Sequence, residues 1–229
     1  MAPILAVPVL NRPDLLARCL ASIDIDVRLL VIDNSGAGLA HRYLPDDAWL
    51  LEPPNNLGVA ASWNLAIKCY PTEPFWLISN ADTEFAPNDL ARLVASEGYG
   101  WTGLAGDWRA FKLTASTVER VGFFDENYVP IYCEDADYEY RCTLAGVRWG
   151  FIQGDTKHAG SVCLDDHRRD NDRTYPDNVE YFRRKWAMSV RGPVGRSTPF
   201  GRGGSVADGT QPSLSRLRAN TWRRPNGGA

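Results

Sequence analysis

Phe75-Trp76-Leu77-Ile78-Ser79 runs directly into Asn80-Ala81-Asp82-Thr83-Glu84. Five uncharged residues dominated by aromatic and branched side chains read as a central strand buried on both faces. The polar run after them is the loop at its C-terminal end, ahead of a helix expected over Pro87 to Ala95. Outward from this strand, Ile4-Leu5-Ala6-Val7-Pro8-Val9 is a second apolar run of the same kind. Asn11-Arg12-Pro13-Asp14 then turns into a helix whose Leu15, Leu16, Cys19, Leu20 and Ile23 recur at helical spacing. Val27-Arg28-Leu29-Leu30-Val31-Ile32 is the next strand, and it too empties into polar residues, Asp33-Asn34-Ser35-Gly36. Strand, helix, strand is the opening of a parallel α/β sheet. Such sheets bind ligands outside the carboxyl ends of their strands, so Asp33 and Asp82 are expected to face one crevice.

Between these strands, Trp49-Leu50-Leu51-Glu52 suits a third strand before the Pro53-Pro54 break. Asn55-Asn56-Leu57-Gly58 reads as a turn, and Val59 to Tyr70 as a helix carrying Ser62, Trp63 and Asn64. Downstream, Trp101 to Leu113 is mixed, with Gly103 and Gly106 as breaks and Arg109 to Leu113 as a strand. A short helix over Thr114 to Val121 leads through Gly122-Phe123-Phe124-Asp125 to Glu134-Asp135-Ala136-Asp137, expected at a helix start, where the dipole favours negative charge. Apolar segments enclose these acids, a setting in which carboxylates often do chemistry. Val147 to Ile152 is a further strand, followed by Gly154-Asp155-Thr156-Lys157-His158. Residues 160 to 173 are polar without apolar periodicity and read as a loop. Asn178 to Val190 reads as a helix with Val179, Phe182 and Trp186 inside. Gly192 to Pro212 is an extended tail, and Leu214 to Trp222 suits a short basic helix. The boundary expected from this pattern is one domain over 1–190 and a Gly/Pro/Arg-rich extension over 191–229.

With 229 residues, 44% of them hydrophobic, the chain can bury one good core. Its formal charge of -3 is uneven: residues 190–229 hold seven Arg against one Asp, which leaves 18 positive and 27 negative charges on residues 1–189. An acidic body argues against nucleic acid as the main partner. No apolar run is long enough to span a membrane, and no basic n-region precedes Ile4, so neither a transmembrane segment nor a signal peptide is expected. Five scattered cysteines without a C-x-x-C pair suggest a reduced, cytoplasmic setting without structural zinc.

Taken in order, several of these pieces carry a resemblance. They are Val7-Pro8-Val9-Leu10-Asn11-Arg12-Pro13, Val31-Ile32-Asp33-Asn34-Ser35, Asn55-Asn56-Leu57-Gly58-Val59-Ala60-Ala61-Ser62-Trp63-Asn64, Ser79-Asn80-Ala81-Asp82-Thr83, Gly122-Phe123-Phe124-Asp125-Glu126, Glu134-Asp135-Ala136-Asp137 and Lys157-His158-Ala159-Gly160-Ser161. In these the chain resembles the GT-A fold glycosyltransferases of family two, inverting nucleotide-sugar enzymes that include rhamnosyl- and galactofuranosyl-transferases. The resemblance implies an α/β, Rossmann-like, mostly parallel sheet flanked by helices, with the basic C-terminal tail outside it. It also implies a nucleotide-diphospho-sugar donor, UDP-, dTDP- or GDP-linked, and a glycan, lipid-linked glycan or protein acceptor.

The chemistry needs a clamp for base and ribose, neutralisation of the leaving diphosphate, and a base for the acceptor hydroxyl. For donor binding the matching positions are Pro8, Val9, Asn11, Arg12, Asp33, Asn34, Asn56, Gly58, Asn64, Asn80 and Ala81. Asp33, Asn34 and Asn56 also suit turn-forming roles. The resemblance makes Asp82 a carboxylate ligand of Mn²⁺ or Mg²⁺ and His158 the second ligand. Asp82 would equally cap a helix, and His158 would equally hydrogen-bond at a strand end. Asn80 stands where the family has the first metal-motif Asp, and Gly36-Ala37-Gly38 where an acid often follows the Asp-Asn-Ser turn. Asp135 matches the family's catalytic base, with Tyr132 and Tyr138 expected to desolvate it and Glu134 to contact the acceptor. At i,i+4, Asp137 can orient Arg141. Trp101 and Trp108 suit either sugar stacking or core packing, with Trp108 the acceptor-binding candidate. The rivals are a sugar nucleotidylyltransferase, which lacks its Gly-rich loop here, and a degenerate nucleotide-sugar-binding module, favoured only by Asn80.

Overall fold

A computed structural model describes residues 1–159, 168–193, 195–207, 214 and 218, with backbone alone for 168–170. The chain runs β1 (Ile4–Val9), α1 (Pro13–Ala21), β2 (Arg28–Asp33), β3 (Trp49–Leu51), α2 (Val59–Cys69), β4 (Phe75–Ser79), β5 (Thr83–Glu84), α3 (Asp89–Ala95), β6 (Trp101–Leu104), β7 (Asp107–Thr114), α4 (Ala115–Val121), α5 (Glu134–Leu144), β8 (Trp149–Ile152), β9 (Lys157–His158) and α6 (Arg168–Trp186). Seven strands form one mostly parallel sheet in the order β3-β2-β1-β4-β7-β6-β8, and β5 pairs with β9 beside it.

The sheet is buried on both faces, and the apolar runs divide between them. Ile4, Ala6, Leu30, Ile32, Trp76 and Ile78 pack with Trp63, Ala66 and Ile67 of α2 on one side. Leu5, Val7, Leu29, Val31 and Leu77 pack with Leu16 and Cys19 of α1 and Leu90 and Leu93 of α3 on the other. Strand side chains alternate in direction, so only a continuous apolar run fills both layers. β1 lies between β2 and β4, parallel to both, so strand order reverses at this point and a crevice opens beyond the carboxyl ends. β7 runs antiparallel to β4 with Ser79 opposite Ala110. Its first residues, Asp107, Trp108 and Arg109, therefore lie beside the carboxyl end of β4.

Two expectations are corrected. Gly103 and Gly106 do not break the region: Trp101–Leu104 and Asp107–Thr114 form a hairpin turned by Ala105 and Gly106, both at positive φ. Gly103 lies inside β6, where an added Cβ would come within 2.6 Å of the Phe151 ring. The loop expected over 160–173 is helical from Arg168, and α6 passes through Pro176 and ends at Trp186 rather than Val190. Residues 160–167, including Gly160 and Ser161 of the Lys157–Ser161 motif, lie outside the described residues, as does most of the 214–222 segment. The inner stripe of α6 is as expected, with Phe182 and Trp186 fully buried against Tyr128, Cys133 and Ala136. Cys19, Cys69, Cys133 and Cys142 are free thiols, and Cys163 is not among the described residues. No described helix is long and apolar enough to cross a membrane.

Candidate active site

The crevice at the β1/β4 switch point is a cleft of about 340 Å³, lined by Pro8, Val9, Asn34, Asn56, Gly58, Ser62 and Asn80 to Asp82, with His158 and Asn171. Each group arrives from a strand end or a helix start. Gly58 has φ +81° and precedes α2 directly; a Cβ there would sit 2.8 Å from the Pro130 carbonyl. That carbonyl also accepts from Val59 N–H at 2.8 Å, so the close approach fixes one wall.

The expected donor residues divide into two groups. Asn34 lines the cleft while its amide donates to Ser62 Oγ at 2.9 Å and its carbonyl accepts from Leu57 N–H at 3.2 Å. Asn56 Oδ1 accepts from Gly58 N–H at 2.9 Å. Pro8, Val9, Asn80 and Ala81 also line it, whereas Asn11, Arg12, Asp33 and Asn64 do not. Both oxygens of buried Asp33 accept backbone N–H groups, from Ser35 at 3.0 Å and Ala40 at 2.8 Å. Burial opposes its charge, but the Ser35 hydroxyl together with these backbone bonds outweighs burial and holds the carboxyl below its ordinary value. Asn64 is equally committed: it accepts from Phe124 N–H and donates to Phe124 O, each at 2.9 Å, and ties α2 to the Gly122–Glu126 loop. Arg12 forms a two-point pair with Asp14 at 2.8 and 2.6 Å, next to Asn11 at φ 54°.

At the carboxyl end of β4, the β5–β9 ladder sets Thr83 opposite His158 and brings His158 Nε2 to 3.0 Å from Asp82 Oδ1. Asp107 Oδ2 is 3.8 Å from His158 Nδ1. Arg109 grips Asp107 through Nε and Nη2 at 2.7 Å each and donates to Thr156 O at 2.6 Å. Burial raises the Asp107 carboxyl, but Arg109 more than offsets this and leaves it below its ordinary value. Among the described residues no group of three His, Cys, Asp or Glu side chains is placed to hold a metal ion together. One carboxylate oxygen and one imidazole nitrogen directed at each other fit a cation that completes its shell with phosphate oxygens.

A second cleft of about 470 Å³ shares Val59, Trp63, Asn80, Ile131 and His158 with the first. The start of α5 lines it with Glu134 and Asp135, reached through Tyr132 and Cys133, both at positive φ. Asp135 is partly exposed, and its Oδ2 lies 3.1 Å from Arg191 Nη2. Glu134 is buried, and its Oε2 has no partner among the described residues. Burial first, and the neighbouring Asp135 charge second, push its carboxyl up to about 8. Glu134 is therefore protonated at neutral pH and able to donate.

Trp108 also lines this cleft, yet it belongs to the core. It stacks on Trp63 at 5.6 Å, packs 4.1 Å from Trp101, and donates through Nε1 to Glu139 at 2.8 Å. Tyr138, expected beside Asp135, instead stacks on Phe124 in the core and donates to Gly122 O. Asp137 is fully buried and faces away from the cleft toward Arg141 Nε, Lys185 Nζ and Trp186 Nε1, each at 2.7 Å. Asp107, Arg109, Arg191 and Asn171 complete the two clefts and carry no signal in sequence spacing, because strand pairing and helix docking bring them in.

No curated protein matches the sequence. Solved structures do share the fold. TarS 1-349 of S. aureus has TM-score 0.51 and 14% identity, and the shared part covers 68% of this chain and 58% of that one, so this chain spans less than two thirds of TarS 1-349. Glucosyl-3-phosphoglycerate synthase from Mycobacterium tuberculosis, in complex with Mn²⁺, UDP and glucosyl-3-phosphoglycerate, has TM-score 0.53 and 15% identity, covering 77% and 79%. The inositol-1-phosphate CTP transferase of T. maritima has TM-score 0.54 and 12% identity, covering 71% and 91%. Identities this low speak to the fold alone, a GT-A-like α/β sheet. Residues 4–114, from β1 to the end of β7, match the family model described as Glycosyl transferase family 2.

Proposed function

We propose that this protein is a metal-dependent, inverting glycosyltransferase that moves a sugar from a nucleotide-diphospho-sugar to an acceptor hydroxyl. The observation that carries the reading is the junction of the two clefts at Asn80 and His158, with Asp82 on one side and Asp135 on the other. The first cleft takes the nucleotide along the ends of β1 and β2. Asp82 and His158 would hold Mn²⁺ or Mg²⁺, and such an ion, when bound, stabilises the charge on the departing diphosphate. Asp135 accepts the proton of the acceptor hydroxyl. As it does so, the hydroxyl oxygen bonds to the anomeric carbon, the bond from that carbon to the phosphate oxygen breaks, and configuration inverts.

Arg191 does not prevent this. Its pair with Asp135 is solvent-exposed on the arginine side, and exposed pairs contribute only about 0–1 kcal/mol, so a bound hydroxyl can displace it. Tyr132, Trp149 and Phe151 give the second cleft apolar ring surface beside its carboxyl groups, a combination suited to the acceptor, whether glycan, lipid-linked glycan or protein. The fold shared with the CTP transferase favours one rival, nucleotidyl transfer. The turn after β1, Leu10-Asn11-Arg12, offers no glycine-rich phosphate loop to support it.

Calorimetric titration with UDP, GDP and dTDP, each with and without Mn²⁺, tests the donor site; binding of none of them overturns the proposal. Asp135→Asn should abolish transfer while leaving nucleotide affinity within about twofold of the unsubstituted protein, since the change removes a base and leaves the first cleft intact. An active variant would move the base elsewhere. Release of pyrophosphate from a nucleoside triphosphate and a sugar 1-phosphate would favour the rival.

A further inference from the structure

Asn171 stands in the first half of α6, in the stretch whose composition reads as a loop. It is 4% exposed, and its Nδ2 has no hydrogen-bond partner among the described residues. A buried N–H without an acceptor loses its hydration and gains nothing in return, so native proteins leave few of them. The same helix shows how such an amide is satisfied when its task is structural. Asn178, two turns further along the same face, is equally buried and donates to Ile131 O at 2.9 Å, with Val129 O and Tyr132 O at 3.4 and 3.3 Å. Asn171 has no such set of carbonyls among the described residues. It lines the donor cleft instead, with Arg173 and Thr174 from its own helix and with Asp82 and His158 from the sheet. The other buried amide of that cleft, Asn34, is already spent on Ser62.

We propose that Asn171 is a donor-binding residue whose side-chain amide donates a hydrogen bond to an oxygen of the bound nucleotide-sugar. The inference rests on the assignment of this cleft to the donor and adds to it a contact from α6. Binding then satisfies a group that the described residues leave unpaired.

The test uses the full chain, calorimetry with UDP, GDP and dTDP in the presence of Mn²⁺, and thermal unfolding without ligand. Asn171→Leu keeps the volume and removes the donor. It should weaken the tightest-bound nucleotide by about tenfold while the unliganded midpoint stays equal or rises, because the unpaired amide is gone. Asn171→Asp keeps the shape and turns a donor into an acceptor, and should lose at least as much affinity. A purely structural asparagine gives the opposite pattern, a lower unliganded midpoint with unchanged affinity, and that result overturns the proposal. Unchanged affinity in Asn171→Asp overturns it as well, even where the leucine variant fails to fold. Absence of nucleotide binding by the unsubstituted protein removes the donor assignment itself, and this inference with it.

Discussion

Glu134 carries the largest consequence for solution behaviour. Its carboxyl titrates at about 8 in the fold against 4.5 when free, so between those values the native state binds a proton that the unfolded chain does not. Stability from this group is therefore complete below about pH 4.5 and declines as pH rises to about 8, by up to about 1.4 kcal/mol per pH unit. Glu134→Gln keeps a neutral donor in the same place and should flatten that decline. Urea midpoints at pH 5, 7 and 9 check it: the unsubstituted protein loses stability across the series relative to the variant, and parallel curves would refute the buried neutral acid. Asp82 makes a separate case. If it and His158 hold the cation, Asp82→Ala should cost at least about tenfold in nucleotide affinity with Mn²⁺ present and little with EDTA. Equal affinities with and without the substitution would remove Asp82 from the metal site.

The pairing of α5 with α6 explains why the three acids at one helix start, Glu134, Asp135 and Asp137, are not interchangeable. Asp137 lies between Arg141 and Lys185, all three nearly inaccessible, and also accepts from Trp186 Nε1 and Tyr128 Oη. Asp137→Ala leaves buried Arg141 without its counter-charge and Lys185 with Asp125 alone, and should cost about 3–5 kcal/mol in chemical denaturation, whereas a change below about 1 kcal/mol would mean the network is solvated. The i,i+4 spacing to Arg141 made half of this network visible in sequence; Lys185, 48 residues further on, could be added only by the fold. The same limit governs the rest. β1, β2 and β4 were legible because burial on both faces demands unbroken apolar runs, and the polar groups at their ends follow from topology. The β6–β7 hairpin was not, because Gly103 reads as a break when it is the space a Phe151 ring needs. The first half of α6 was not, because its composition is polar and Pro176 interrupts it. Anchoring through Asn178 and burial of Phe182 and Trp186 hold the helix together in spite of that proline. Asn171, Arg109 and Arg191 were hidden because strand pairing and helix docking bring them to the two clefts.

The C-terminal extension is less separate from the body than its Gly, Pro and Arg content suggests. Residues 195 and 196 are stitched to the sheet's helices: Gly195 N–H donates to Tyr140 Oη at 2.9 Å, and Arg196 N–H to Trp186 O at 2.7 Å. Further on, Leu214 is 2% exposed and belongs to the same core layer as Val118, Val121 and Phe123. Arg218 reaches Pro71 O at 2.8 Å and Glu119 at 2.5 Å. Basic tail and acidic body thus meet in an ion pair, but charge is the smaller part of what holds them. The Arg218 pair is partly open to solvent on both sides and contributes no more than about 1 kcal/mol, whereas emptying a buried leucine site costs about 2–5 kcal/mol. Leu214→Ala should therefore lower the thermal midpoint by at least about 4 °C in a chain of this size, and Arg218→Ala by no more than about 2–4 °C. Salt separates the two effects further, since 0.5 M NaCl screens the arginine contact and leaves the leucine burial intact. If the arginine variant proved the more damaging of the two, attraction between the basic tail and the acidic body, rather than burial, would be what closes the tail onto the sheet.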